Sequence, residues 1–572
     1  MVAIIVAAPV VGAVISLLGR HWYAGGDQAL ELLRISDVGG SHTPLLGAWS
    51  RWGWAHPGPL LFWLLAPFYR VFGQTGVLTG MAVVNLVCMI AAVLLAYRRS
   101  GARLAVLVGL MVALLAHGSH ARVVDPWNPW AAFFPFILFL LLVWSVLCDD
   151  VVMLPVAVAI GSFLVQTHAG YLPLVAGLLV LAAVSLGFPG TGDTKVFRRY
   201  QENGRWLAIA AAVGVVVWLP AIAEQLSGGD NVRNMLSYLR HPSEPAVGWD
   251  LAFTAMGGQL RPNGAWITGH DSSAIGFLSP SSAWPGTLTL AAVALAGAFA
   301  WRRGHHDAAR LALVGLVATG LALVASARIT GPPVPYVLQW WRGVAALATL
   351  SIVWSVVTDL RTPRARGAVS AVALIGLAAT AAVMLRDLPV ALPEEQVSRT
   401  IEAIGAPTAA ALRNDERYLV RAVDPTLWGA AWTGLYFDLE RRGFDVFVDR
   451  SDVSSLQYGE WREATPIEVD AMVMIVALPD LEFGTWRPLP ASRLVASYDP
   501  LTAAQRARVR ELTASIRTAL GANAPPDRFS VGIAEVLAFE KLGASRTELD
   551  ELRALTMLGD GYAVYLTPPE AP

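Results

Sequence analysis

As far as about residue 385 the chain alternates long apolar runs with short polar turns. Crossing the hydrocarbon core of a bilayer takes about 20 mostly apolar residues. Runs of roughly that length fall near 2–18, 75–96, 103–118, 131–148, 151–166, 171–188, 206–222, 285–300, 310–326, 338–358 and 368–385. The pattern therefore predicts about eleven transmembrane helices. Residues 59–69 (PLLFWLLAPFY) are apolar but short and are followed by Arg70, which fits a helix lying at the interface. Residues 2–18 have no charged segment before them and no small-residue cleavage site after them, so they read as a first membrane helix rather than a cleaved signal.

After about residue 386 the pattern changes. WTGLYFDLERRGFDVFVDRS reads as an amphipathic helix, a stop at Gly443 and a short strand. VDAMVMIVALPD reads as a buried strand, and AQRARVRELTASIRTAL as a solvent-facing helix. The expected architecture is a polytopic α-helical membrane protein, residues 1–385, followed by a C-terminal α/β domain, residues 386–572.

Arginine and lysine in the short loops set the orientation. With the N-terminus inside, the inner loops carry Arg98, Arg99 and Arg103; Lys195, Arg198, Arg199 and Arg205; Arg302, Arg303 and Arg310; and Arg361, Arg364 and Arg366. The outer loops are longer and hold fewer cations. An odd number of crossings then puts the first loop (about 19–74) and the C-terminal domain outside a plasma membrane.

Composition agrees with this layout. The 572 residues are 55% hydrophobic and 15% charged, where a soluble chain carries about a quarter. A net charge of −1 speaks against a nucleic-acid partner. Lys195 and Lys541 are the two lysines, and this Arg- and Ala-rich usage suggests a high-GC bacterial genome. The two cysteines, Cys88 and Cys148, lie in apolar runs, so the outer segments have no disulfide framework.

The candidate chemistry lies in the outer loops. The first holds Asp27, Gln28, Glu31, Arg34, Asp37 and the turn His56-Pro57-Gly58-Pro59; the second, HGSHARVVDPWNPW, holds Arg122 and Asp125; the third holds Gln166 and His168; the last holds Arg328 and Gln339-Trp340-Trp341-Arg342. Each has a plainer reading. A carboxylate in an outer loop is ordinarily solvated, and Asp27 is also placed to cap a helix starting at Gln28. Asp125-Pro126 fits turn chemistry. Trp127, Trp130, Trp340 and Trp341 fit an interfacial belt, with sugar stacking as the alternative. The histidines on this face show no ligand spacing, so a divalent metal ion stays open.

Taken together, the motifs resemble the GT-C superfamily of membrane glycosyltransferases, in the branch of aminoarabinose transferases, protein mannosyltransferases and actinobacterial enzymes of that type. The resemblance covers about residues 1–350. Asp27 in GGDQALELLR matches an acidic motif in the first outer loop, HPGPLLFW matches a Pro-Pro-Leu turn, Phe72-Gly73 matches a Phe-Gly, and Asp125 matches a second acidic position. Gln28 stands where the family has another acid and Gly58 where it has proline, and the first departure weakens any claim to a metal held by adjacent carboxylates. The resemblance implies a polyprenyl-phosphate-linked sugar as donor and a cell-envelope polysaccharide or glycolipid hydroxyl as acceptor. It implies Asp27 as general base, with Asp125 second. Arg122, Arg328 and Arg342 become candidates for the donor phosphate, because guanidinium engages phosphate as a bidentate fork. His56, His168 and Gln166 join them as substrate-binding candidates.

Two other classes compete. A transporter predicts charged or Gly/Pro-broken segments paired at the membrane midplane, and the acidic residues here sit at helix ends and in loops instead. A non-catalytic envelope scaffold requires the topology alone.

Overall fold

The computed structural model describes residues 1–187, 202–269, 282–331, 334–423, 430–452, 455–483, 486–524, 536, 538–540 and 542–569. Lys195, Arg198 and Arg199 of the expected inner loops, and Lys541, lie outside the described residues. The chain divides into two compact units, one of Met1–Arg20 with Val38–Pro393 and the other of His21–Asp37 with Glu394–Pro572.

In the first unit every expected membrane run falls on helix. Among the described residues eight helices, with Leu60–Ser119 taken as one, are long and apolar enough to cross a membrane, and Val2–Ser16 and Val151–Thr167 are shorter apolar helices, so the chain is a multi-pass membrane protein. Leu60–Ser119 bends at Gly73 (φ 65°) and again at Ser100-Gly101 (φ 75° at the glycine). The first bend detaches 60–72, the segment expected at the interface, and the second separates the runs 74–99 and 102–119. Phe133–Leu147 is apolar all round and buried at every position, as a helix surrounded by other helices requires. Leu60–Ser119, Leu154–Thr167, Leu172–Gly187, His306–Ala327 and Trp340–Asp359 pack around it. Gly204–Leu226 and Pro363–Arg386 instead expose Val215, Val216, Leu219, Val372 and Ile375.

Polar contacts gather the turns of this unit into two sets. At one end Arg98 pairs with Asp150 (2.7 Å), Arg99 with Asp307 (3.0 Å), Arg310 with Asp149 (3.2 Å) and Arg303 with Asp359 (3.2 Å). These are the loops expected inside, and the acidic turn Asp149-Asp150 accepts two of their arginines. At the other end the Val390 N–H donates to Ser16 Oγ (3.2 Å), and Thr75 Oγ1 donates to the Arg20 carbonyl (3.3 Å). Val2–Ser16 and Pro363–Arg386 thus finish at the same end, as an odd number of crossings demands. A two-stranded hairpin, β1 (Trp49–Ser50) and β2 (Trp54–Ala55), belongs to this unit, as do the loop helices Asn231–Arg240, Gly248–Leu260 and Ala265–Thr268.

The second unit is α/β. Its sheet comprises β3 (Arg417–Ala422), β4 (Asp445–Asp449), β5 (Glu463–Ala464), β6 (Ala471–Ala477), β7 (Arg493–Tyr498) and β8 (Tyr562–Thr567), in the order β5-β4-β3-β6-β8-β7. β5, β4, β3 and β6 are parallel, with Tyr418 opposite both Val446 and Ala471; β8 runs antiparallel to both its neighbours, β6 and β7. The expected elements recur: helix Ala430–Arg441, Gly443 in the left-handed region (φ 91°), β4, and β6 buried from Met472 to Val476. Helix Ala503–Leu520 starts at a capping box of Thr502 and Gln505. Helix Gly26–Asp37, from the expected first outer loop, buries Leu30, Leu32, Leu33 and Ile35 within this same unit, packed on Ala430–Arg441.

Candidate active site

In the membrane unit the loops opposite the paired arginines converge. The hairpin β1–β2 delivers His56, whose backbone exchanges hydrogen bonds with Gly47 and Ala48 (2.8 Å each). Asn231 mimics a neighbouring strand: its Nδ2 donates to the Ala55 carbonyl (2.9 Å) and its Oδ1 accepts from the Ala55 N–H (2.7 Å). The Ala169 N–H donates to His56 Nδ1 (3.0 Å), which leaves the ring proton on Nε2. Gln166 is held by donating to the Val217 carbonyl (2.7 Å). A Cβ at position 58 would lie 2.1 Å from Gln166 Oε1, so glycine stands there because the glutamine side chain fills the space a proline ring needs. His56 and His168 lie ring to ring at 5.1 Å, and the contacts continue through Tyr171 to Trp340. Burial pushes His56 well below its ordinary value, with His168 adding to the shift, and burial pushes His168 down to about 4. Both imidazoles are neutral near pH 7 and offer hydrogen bonds rather than charge.

The second loop supplies the cation. Arg122 lies over Trp130, its guanidinium carbon 3.9 Å from the ring centroid. Its Nη1 is buried without a hydrogen-bond partner among the described residues. Burial, and then the neighbouring Arg342, push Arg122 down to about 9, with Asp125 acting in the opposite sense. Asp125 Oδ1 accepts from the Trp127 N–H (3.0 Å), the turn chemistry its proline neighbour suggested. Asn128 Nδ2 donates to the Thr167 carbonyl (3.0 Å), joining this loop to the one that carries His168.

Arg122, Asp125 and Arg342 therefore form one group, and His56, His168 and Gln166 another, within the same unit. Arg328 is exposed at the C-terminal cap of His306–Ala327, and among the described residues nothing links it to either group. Trp130, Trp340 and Trp341 are buried among protein side chains rather than arranged as a lipid-facing belt; Trp341 Nε1 donates to Ser326 Oγ (2.9 Å), a partner that bilayer does not offer. Among the described residues no three His, Cys, Asp or Glu side chains are grouped to hold a metal ion.

Asp27 belongs to the other unit. It lies in the first turn of Gly26–Asp37, one residue inside the helix rather than before it, where the helix dipole favours a negative charge. It is exposed, whereas Gln28 and Glu31 are buried. The roles of Asn231 and Tyr171, as a strand mimic and an aromatic link, depend on packing that a lone Asn in GGDNVR and a Tyr beginning an apolar run do not signal.

No family model matches the sequence, and no curated protein does. Solved structures of ArnT from Cupriavidus metallidurans are similar to it. The apo state superposes with a TM-score of 0.50 at 15% identity, and the state bound to undecaprenyl phosphate with 0.51 at 16%. Each alignment covers 86% of this chain and 95% of ArnT. The chain shares the fold of these structures.

Proposed function

We propose that the protein is a membrane glycosyltransferase that moves a sugar from a polyprenyl-phosphate donor to a hydroxyl of a cell-envelope polysaccharide or glycolipid on the outer face. The observation that carries this reading is Arg122: a half-buried guanidinium over Trp130, beside Arg342, whose buried Nη1 has no hydrogen-bond partner among the described residues. Such a group suits a phosphate anion, whose oxygens match the fork. In ArnT the same fold is found bound to undecaprenyl phosphate.

Asp27 acts as the general base. The acceptor oxygen attacks the anomeric carbon while the bond from that carbon to the phosphate oxygen breaks. The hydroxyl proton passes to Asp27, and the lipid phosphate leaves as an anion stabilised by Arg122 and Arg342. A phosphate leaving group needs no general acid, so one carboxylate is sufficient, unlike the two of glycoside hydrolysis. Asp125 ranks second because one of its oxygens already serves the turn.

Transfer from a labelled polyprenyl-phosphate sugar in membranes tests the reading. Asp27→Asn is expected to lower turnover by about 10²–10⁴-fold with donor binding kept. Near wild-type turnover moves the role to Asp125, and no transfer from any such donor by the unaltered protein returns the chain to the scaffold class. Orientation is tested separately. A cysteine at the exposed Ala504 is expected to react with an impermeant reagent in intact cells, against a background in which Cys88 and Cys148 are buried. Labelling only after lysis overturns the outer-face assignment.

A further inference from the structure

We infer that residues 166–171, with Trp54 and Trp340, form a sugar subsite that reads the hydroxyls of an uncharged pentose or hexose on the donor. The inference rests on the reading of the chain as a polyprenyl-phosphate-dependent transferase.

From Trp340 to Trp54 the rings follow one another without a break, all within the membrane unit. Trp340 meets Tyr171 at 5.6 Å and Tyr171 meets His168 at 6.1 Å. His168 meets His56 at 5.1 Å, and His56 meets Trp54 at 5.5 Å. Gly170 lets the first end close. A Cβ there would lie 2.9 Å from the His168 ring and 3.1 Å from Trp340 Cζ3, so only glycine allows both rings onto the same stretch of backbone. Three of the four contacts are edge to face, at 79°, 89° and 83°, an arrangement that suits the ring quadrupoles.

Packing explains the rings but not their polar atoms. Trp340 Nε1, Tyr171 OH, His168 Nδ1 and Trp54 Nε1 are each buried with no hydrogen-bond partner among the described residues. Gln166 Oε1 and Thr167 Oγ1 are in the same state, which puts four such atoms within residues 166–171. Tyr171 is 1% and Trp340 2% exposed. Buried polar atoms are paired in the large majority of cases, so orphans concentrated along one loop call for a ligand that pairs them.

The atoms specify the ligand. A phenol and two indole N–H groups donate, while an amide oxygen accepts. A sugar hydroxyl does both, so a ring bearing several of them satisfies donors and acceptors together, with its C–H faces against the aromatic rings. None of these side chains supplies a charge: His56 and His168 are neutral near pH 7, and burial alone holds His168 in that form. An ammonium or carboxylate on the sugar would lose its water here with nothing opposite it. The loop that carries Arg122 is bonded to this one through Asn128 Nδ2 and the Thr167 carbonyl (3.0 Å). A phosphate on Arg122 and a neutral sugar on residues 166–171 thus suit the two parts of one donor.

The test uses the full-length enzyme and polyprenyl-phosphate donors carrying mannose, arabinose, aminoarabinose or glucuronic acid. Transfer is expected from a neutral donor and from neither charged one. Transfer from a charged donor at the rate of the best neutral one overturns the inference. Tyr171→Phe keeps the ring and removes only the hydroxyl. Its donor KM is expected to rise about three- to tenfold, the worth of one hydrogen bond between neutral groups, with the dissociation constant for sugar-free polyprenyl phosphate unchanged. Its thermal midpoint without ligand is expected to hold or rise, because an orphaned buried hydroxyl has gone. Trp340→Phe deletes the indole N–H and is expected to split donor and lipid phosphate in the same way. An unchanged donor KM in both variants, or an equal weakening of sugar-free lipid phosphate, overturns the inference and leaves the Arg122 assignment standing. No transfer from any of these donors by the wild type overturns the transferase reading itself, and this inference with it.

Discussion

The two ends of the membrane unit use arginine in opposite ways. At one end Arg98, Arg99, Arg303 and Arg310 each have a carboxylate within 3.2 Å. At the other, Arg122 has an aromatic ring beneath it, a second arginine nearby, and a buried N–H with no partner among the described residues. Partly exposed pairs of the first kind are worth about 0–1 kcal/mol each and tie turns together. A buried donor left unsatisfied costs about 1–3 kcal/mol, so a fold that keeps one holds a place where an anion lowers the energy. The position of an arginine relative to its partners, rather than its number in a loop, separates topology from binding.

The sharpest way to break this contrast is Arg122→Ala. Loss of a charge-assisted contact worth about 1.5–3 kcal/mol is expected to raise the dissociation constant for a polyprenyl-phosphate ligand by about 10–150-fold. Arg122→Lys is expected to fall between the two, since it restores a point charge without the fork. Equilibrium binding of a labelled lipid phosphate to purified protein measures both. An unchanged constant transfers the role to Arg342, the arginine beside it.

A second test addresses the neutral half of the same end. His56 and His168 are both held below the ordinary histidine value of 6.5, His168 at about 4. Each binds a proton less readily folded than unfolded. Their contribution to stability is therefore full above about pH 6.5 and is lost as pH falls toward 4. The thermal midpoint without ligand is expected to drop across that window, and His168→Gln is expected to flatten the profile. A midpoint rising on acidification contradicts the neutral assignment.

What the sequence made legible follows from how local each signal is. The membrane helices were readable because about 20 consecutive apolar residues leave one solution in a bilayer. β6 and the helix–Gly443–β4 unit were readable because burial pattern and a left-handed stop lie within a dozen residues. Arg122 was singled out by its spacing from Asp125, whereas its proximity to Arg342 depends on helix packing that spacing does not contain. The grouping of His21–Asp37 with residues 394–572 was out of reach for the same reason, since Arg462 meets Asp37 across 425 positions. Tryptophans with one polar atom suit both an interface and a core. The pattern alone did not distinguish Trp340 and Trp341 in the core from tryptophans in a belt.

The smallest expected effect is the most demanding of the comparison, because it requires an arginine to matter little. Arg98 donates to Asp150 at 2.7 Å, and its side chain is 53% exposed while that of Asp150 is 7% exposed. Asp150 also accepts from Ser145 Oγ at 3.0 Å, so removal of Arg98 leaves the carboxylate with a partner and with access to water along the vacated path. Arg98→Ala is therefore expected to cost no more than about 1 kcal/mol of stability and to leave lipid-phosphate affinity at the wild-type value. Asp150→Ala is expected to cost more, about 1–3 kcal/mol, because it strips the buried Ser145 hydroxyl of its acceptor as well as Arg98 of its pair. Chemical or thermal unfolding and the same binding assay measure both variants. If Arg98→Ala weakens lipid-phosphate binding as much as Arg122→Ala does, the two ends are not distinct in function, and the unpartnered N–H of Arg122 is no guide to where the phosphate sits.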